Sequence, residues 1–91
     1  MAVTDNAAEN RFEMEVERSV AFVTYRRDGD RIALIHTEVP PALSGKGVGS
    51  RLARDVLQEV RTRGLHVVPR CEFIAAYIER HPEYRDLLAG S

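Results

Sequence analysis

Hydrophobic and polar positions alternate strictly from Arg11 to Glu17. Phe12, Met14 and Val16 oppose Glu13, Glu15 and Glu17, the pattern of a strand with one wet face. Residues 19–27 predict a second strand with two partly apolar faces, Val20 and Phe22 on one and Ala21, Val23 and Tyr25 on the other. Asp28-Gly29, between Arg27 and Asp30, signals a two-residue hairpin. A third strand follows over 31–38, with Ile32, Leu34 and His36 on one face and Ala33, Ile35 and Thr37 on the other. Pro40 and Pro41 stop it, because proline cannot donate to a sheet ladder. The period then changes to that of a helix. Val48, Leu52, Ala53, Val56, Leu57 and Val60 form one apolar stripe, and Arg51, Arg54, Asp55, Gln58, Glu59 and Arg61 take the wet face. This predicts a helix over 48–63 with Gly64 as its C-cap. A short fourth strand at 65–69 and a second helix at about 72–80, ended by Pro82, complete the plan. Strand, helix, strand in that order implies a right-handed crossover, so the third and fourth strands should run parallel. The expected fold is α/β (α+β): three antiparallel strands plus one parallel strand, with two main helices packed on the sheet. Residues 1–10 are small and polar and predict a flexible terminus, leaving 11–91 as a single domain.

Between third strand and first helix lies the stretch richest in chemistry, Ser44-Gly45-Lys46-Gly47-Val48-Gly49-Ser50. Glycines let a backbone approach a ligand closely, and the free N–H groups of a helix start favour an anion. Lys46 adds a positive charge. Ser44 to Ser50 could therefore cradle a phosphate or pyrophosphate, or the glycines could serve only the geometry of a strand–helix connection. A P-loop is excluded, since Lys46 is followed by Gly47 and no glycine lies five residues before Gly45. The dinucleotide fingerprint is excluded because Ser50 stands where its third glycine would be.

What remains, a Val-Pro strand end followed by G-x-G-x-G and a long amphipathic helix, resembles motif A of the GNAT acetyltransferase superfamily, written [QR]-x-x-G-x-[GA]. Gly47 and Gly49 match its glycines. Ser44 departs from the usual Gln or Arg, which removes one side-chain donor and leaves the backbone cradle. Pro69-Arg70-Cys71-Glu72-Phe73, Tyr77-Ile78 and His81-Pro82-Glu83-Tyr84 extend the resemblance to the small single-domain GNAT-like group, which includes the N-acetyltransferase domain-containing proteins, over roughly 12–88. The resemblance implies a minimal GNAT fold. It implies acetyl-coenzyme A as cosubstrate, with Val39 and the backbone of Ser44, Gly45, Lys46, Gly47, Val48, Gly49 and Ser50 holding pantetheine and pyrophosphate. It also implies an amine acceptor, a protein or a polyamine. Full-length GNAT enzymes carry two helices between the first two strands, and about two residues separate those strands here, so the acceptor side should be open.

Three side chains are candidates for the chemistry. Cys71 sits between the fourth strand and the second helix, at the carboxyl end of a parallel strand where α/β proteins bind ligands. A helix start favours a thiolate, and the resemblance places this position near the acetyl thioester; a buried structural thiol is the alternative. His36, near the end of the third strand, could take a proton from an acceptor amine or be a satisfied sheet histidine. Tyr77 lies on the helix where many GNAT enzymes carry a tyrosine that protonates the departing thiolate. The register of that motif does not match cleanly, and core packing is the other reading. His66, His81 and Cys71 lack zinc-ligand spacing, so no metal is expected.

Composition narrows the partners. The 91 residues hold 13 Lys and Arg and 14 Asp and Glu, for a net charge of −1. That balance implies no strong attraction to nucleic acid or an anionic membrane. One cysteine allows no internal disulfide and fits a reducing compartment. There is no apolar run long enough for a membrane span and no signal pattern at the start, so a cytoplasmic location is expected. The leading function is transfer of acetyl to an amine. The alternatives are a coenzyme A-binding regulator or adaptor without turnover, and an interaction domain with a purely structural glycine turn.

Overall fold

The computed structural model describes residues 3–90. Five strands form one sheet in sequential order: β1 (Thr4–Asn6), β2 (Arg11–Val16), β3 (Ser19–Asp28), β4 (Arg31–Glu38) and β5 (His66–Pro69). Neighbours are antiparallel except β4 and β5, which are parallel and joined by helix α1 (Val48–Thr62). Helix α2 (Glu72–Arg80) and a 3₁₀ segment, Pro82–Leu87, follow.

The first strand corrects the expectation of a flexible 1–10. Alternation is a rule about apolar side chains, and β1 is held by polar ones. Tyr25 Oη donates to Asp5 Oδ1 at 2.6 Å, Arg63 Nη1 meets Asp5 Oδ2 at 2.8 Å, and Asn6 Nδ2 donates to Glu13 Oε2 at 3.0 Å. Burial first, and then the bond to Asp5, pushes the Tyr25 hydroxyl pKa up to about 12. Met1 and Ala2 of that stretch, and Ser91 of the expected domain, lie outside the described residues.

Both hairpins differ slightly from expectation. Asp28 pairs with Arg31, so the loop is Gly29-Asp30 rather than Asp28-Gly29, with Gly29 at φ 62° in its first position. Val16 pairs with Ser19, which puts Glu17 and Arg18 in the β2–β3 loop at φ 51° and 68°. No glycine announces that turn.

A third difference matters more. Thr24 pairs with His36 but Tyr25 pairs with Leu34, so Ile35 is an extra residue in β4. Such a bulge reverses the facing of everything beyond it. Ile32 and Leu34 are buried against the helices, at 1% and 0% exposure. His36 leaves their face and lies beside Phe22 on the opposite one, ring centroids 6.5 Å apart. Thr37, paired with buried Val23, takes the helix side instead.

Helix α1 buries the expected stripe, Val48, Leu52, Ala53, Val56, Leu57 and Val60. It ends in a Schellman motif: Gly64 at φ 70° donates to Arg61 O, Leu65 N–H to Val60 O, and both Leu65 and Val60 are buried. Tyr84, after α2, accepts a hydrogen bond from Gln58 of α1 at 3.0 Å. Both helices pack with Phe12, Met14, Ala21, Val23, Ile32 and Val67 into one core on one face of the sheet. The other face is open, and Ile35 there is 43% exposed.

Candidate active site

The site begins where the two parallel strands part. Their pairing runs from Arg31 with His66 to Leu34 with Pro69 and stops there. The last cross-strand acceptor is Leu34 O, which receives the N–H groups of both Arg70 and Cys71 at 3.0 Å. Beyond it, Ile35 to Glu38 stay with β3 while the chain after Pro69 turns into α2. The bulge at Ile35 and the stop at Pro69 together open a wedge at the carboxyl ends of parallel strands, where ligands of α/β sheets bind.

Cys71 occupies the corner of that wedge as the N-cap of α2. Its Sγ lies 3.2 Å from Thr37 Oγ1, which crosses the gap from β4. Burial raises the thiol pKa. The Thr37 hydroxyl and the main-chain N–H groups of Ile74, Phe73 and Thr37 lower it, and the balance falls below the ordinary thiol value. The sulfur is half-buried and free.

The glycine turn stands beside this corner. Gly45 and Gly47 adopt φ 78° and 71°, with open space where a Cβ would stand. Gly47 caps α1, so the N–H groups of Val48, Gly49 and Ser50 precede its first helical hydrogen bond, from Arg51 N to Gly47 O. Phe73, in the first turn of α2, lies over Gly49: a Cβ there would come within 2.9 Å of the ring. This contact joins the starts of the two helices, so the N–H groups of α1 and the thiol of α2 share one corner of the molecule. These features fit a ligand with an anionic head and a narrow chain ending near the sulfur: free donors, no Cβ in the way and an aromatic wall 37% exposed.

The other expected residues are placed as follows. Lys46 is tied down in an exposed ion pair, its Nζ meeting Glu17 Oε2 of the β2–β3 loop at 2.6 Å. Ser44 has extended backbone and donates its N–H to Pro41 O. Val39 packs against the core just after β4. His36 is on the open face, with Nε2 2.9 Å from Glu38 Oε1. Tyr77 is 4% exposed, stacked on His81 at 3.9 Å, and burial raises its pKa. It sits in the core between the helices rather than at the wedge. Among the described residues, no group of three or more His, Cys, Asp or Glu side chains is placed to hold a metal ion, and no helix is long and apolar enough to cross a membrane. Thr37 and Phe73 are the functional candidates that the sequence reading passed over. Phe73 stands within the quoted P-x-C-x-F stretch, and Thr37 carries no local signal because the bulge decides its facing.

Residues 11–87 match the family model described as GCN5-related N-acetyl-transferase. The chain belongs to that family. A GCN5-like protein from Staphylococcus aureus, solved by NMR, is similar in fold with TM-score 0.72 and 30% identity, covering 98% of this chain and 88% of that one. Protein NATD1 of Gallus gallus and of Mus musculus is each 36% identical over 63 residues, 68% of this chain and 57% of the relative. Protein NATD1 of Homo sapiens matches at the same identity over 56% of its length. The chain therefore spans little more than half of these relatives. The family's GNAT fold is the one seen here, with one strand more than the four expected.

Proposed function

We propose that this chain binds acetyl-coenzyme A in the wedge and transfers its acetyl group to an amine. The observation that carries this reading is the meeting of the α1 start and the Cys71–Thr37 corner, joined by Phe73 over Gly49. Acetyl-coenzyme A supplies a thioester carbonyl open to attack by an amine nitrogen. The N–H groups of Val48, Gly49 and Ser50 would hold the pyrophosphate. Val39, Thr37 and Phe73 would line the path of the pantetheine, and Ser44 to Gly47 would leave it room. Cys71, between them, would wall the pocket near the reacting carbon.

Thr37 faces the helices and His36 the open side, so cosubstrate and acceptor would approach from opposite faces of the sheet. His36, held by Glu38, would then accept the amine proton. Residues 11–91 would act as one acetyltransferase domain, in keeping with an intracellular, cytoplasmic setting. Placement of Tyr77 in the core favours a second reading, a coenzyme A-binding regulator without turnover, because it removes the usual proton donor from the wedge.

Thermal unfolding with acetyl-coenzyme A tests binding. At ~100 times the dissociation constant the fold should gain roughly 2.7 kcal/mol, and an unchanged melting temperature would refute the reading. Intact-mass analysis tests turnover and the role of Cys71. Cys71→Ala should keep coenzyme A binding and slow acetylation without ending it. A rapid acetyl adduct on wild-type Cys71 that discharges onto added amine would replace direct transfer by a covalent route.

A further inference from the structure

The open face of the sheet carries a basin of about 710 Å³ that starts at the wedge. Its floor is apolar, formed by Ala33, Ile35 and Val68, and Arg70 and Ile35 mark its end at the parting strands. Arg26, Arg27 and Arg31 line the rest, with Asp28 the one acid among them. The charge of the basin is therefore strongly positive on a chain whose net charge is −1.

Most of the chain's other cations are already paired: Arg11 with Glu13, Lys46 with Glu17, Arg54 with Asp55, Arg61 with Asp86, Arg63 with Asp5 and Glu59. The basin is different. Arg27 Nε donates to Gly29 O at 3.1 Å. Arg26, Arg31 and Arg70 form no salt bridge among the described residues, and Asp28, cross-strand from Arg31, is the one carboxylate set against them. Cations gathered on neighbouring strands repel one another and are favourable only when an anion meets them.

We propose that this basin binds the acidic segment of a protein acceptor, so that the amine acetylated lies close in sequence to Asp or Glu. The inference rests on the acetyl-transfer reading and names its substrate class. Guanidinium groups match carboxylates in a two-pronged geometry. Three residues of strand separate Arg31 from the parting at Leu34, about 10 Å at ~3.3 Å each. An extended peptide with its amine at the wedge therefore lays the acidic residues within about three positions over the arginines. The apolar floor suits a peptide, whose alternate side chains need a surface to rest on. A nucleic acid would need stacking surfaces or a longer track of charge. A polyamine would be repelled.

The test uses three lysine peptides of equal length with acidic, neutral or basic flanks, a single-stranded oligonucleotide, and the variants Arg26→Glu, Arg31→Glu and Arg70→Glu. Binding is read by fluorescence anisotropy and acetylation by mass spectrometry, each at low and high salt. The acidic peptide should bind about tenfold more tightly than the neutral one and be acetylated faster, and salt should erase the difference. Arg31→Glu, far from the wedge, should remove that preference while the acetyl-coenzyme A thermal shift persists. Equal binding of all three peptides, or tighter binding of the oligonucleotide, overturns the proposal. So does an acidic preference that survives every arginine variant. Acidic-peptide binding without any acetyl-coenzyme A shift overturns the acceptor role by removing the reaction it rests on.

Discussion

Two glycines two residues apart should differ in what the same substitution does to stability. Gly47 adopts φ 71° with nothing within 4 Å of an added Cβ. Alanine there meets no neighbour and suffers only the left-handed backbone, about 1–2 kcal/mol. Gly49 is helical, and its Cβ would stand 2.9 Å from Phe73 Cζ and 3.5 and 3.7 Å from the two Cε atoms. Ordinary carbon contacts begin near ~3.5 Å, so the ring must move by a few tenths of an ångström or more. Phe73 is 37% exposed and can swing outward. The helix meanwhile gains up to about 1 kcal/mol from replacing glycine. Gly49→Ala should therefore stay within about 1 kcal/mol of wild type, whereas Gly47→Ala should lose 1–2. At roughly 4–8 °C per kcal/mol for a domain of this size, thermal unfolding separates the two. Adding acetyl-coenzyme A separates stability from function: both variants should show a reduced ligand shift, one through a distorted turn and the other through a displaced Phe73. A wild-type melting temperature for Gly47→Ala would refute the strained turn. A wild-type ligand shift for Gly49→Ala would refute Phe73 as a wall of the site.

Glu17→Gln should free Lys46 and tighten acetyl-coenzyme A binding a few-fold at low salt; the pair is exposed, so stability should change by less than about 1 kcal/mol. Titration calorimetry at two ionic strengths checks both the gain and its loss with salt. Tyr25→Phe should cost roughly 1.5–3 kcal/mol, the range for a hydrogen bond to a charged group. The Tyr25 pKa is raised, to about 12, so its contribution is complete below the ordinary value of 10.0 and lost as pH climbs through 12; urea unfolding of both proteins across that range should show the gap close. For Cys71 the sign is opposite. Its lowered pKa makes the thiolate form more favourable in the fold, a contribution present above the unfolded value and lost as pH falls through the folded one. Alkylation by iodoacetamide should therefore rise at lower pH than for a free thiol, and Thr37→Val should move the profile back up.

Periodicity encodes which way side chains face, and where it is unbroken the elements follow it: α2 spans Glu72–Arg80, and α1 buries Val48, Leu52, Ala53, Val56, Leu57 and Val60, as the pattern predicts. It cannot encode an inserted residue. Ile35 is as apolar as a regular strand residue, so nothing in 31–38 reveals that two residues of β4 answer one step of β3. That single insertion moves His36 to the open face and brings Thr37 to Cys71. Polar ties are equally silent, because Asp5 gains meaning only when folding brings Tyr25 and Arg63 to it. The glycine turn was legible as a backbone requirement. Its neighbour Phe73 was not, since the contact spans 24 positions and depends on both helices starting at the same corner. The basin follows the same logic. Arg26, Arg27, Arg31 and Arg70 are scattered in sequence and vanish in a net charge of −1. They share a surface only because β4 pairs antiparallel with β3 and parallel with β5. A balanced composition therefore excludes a uniformly basic protein, and it leaves room for one basic face whose partner is acidic.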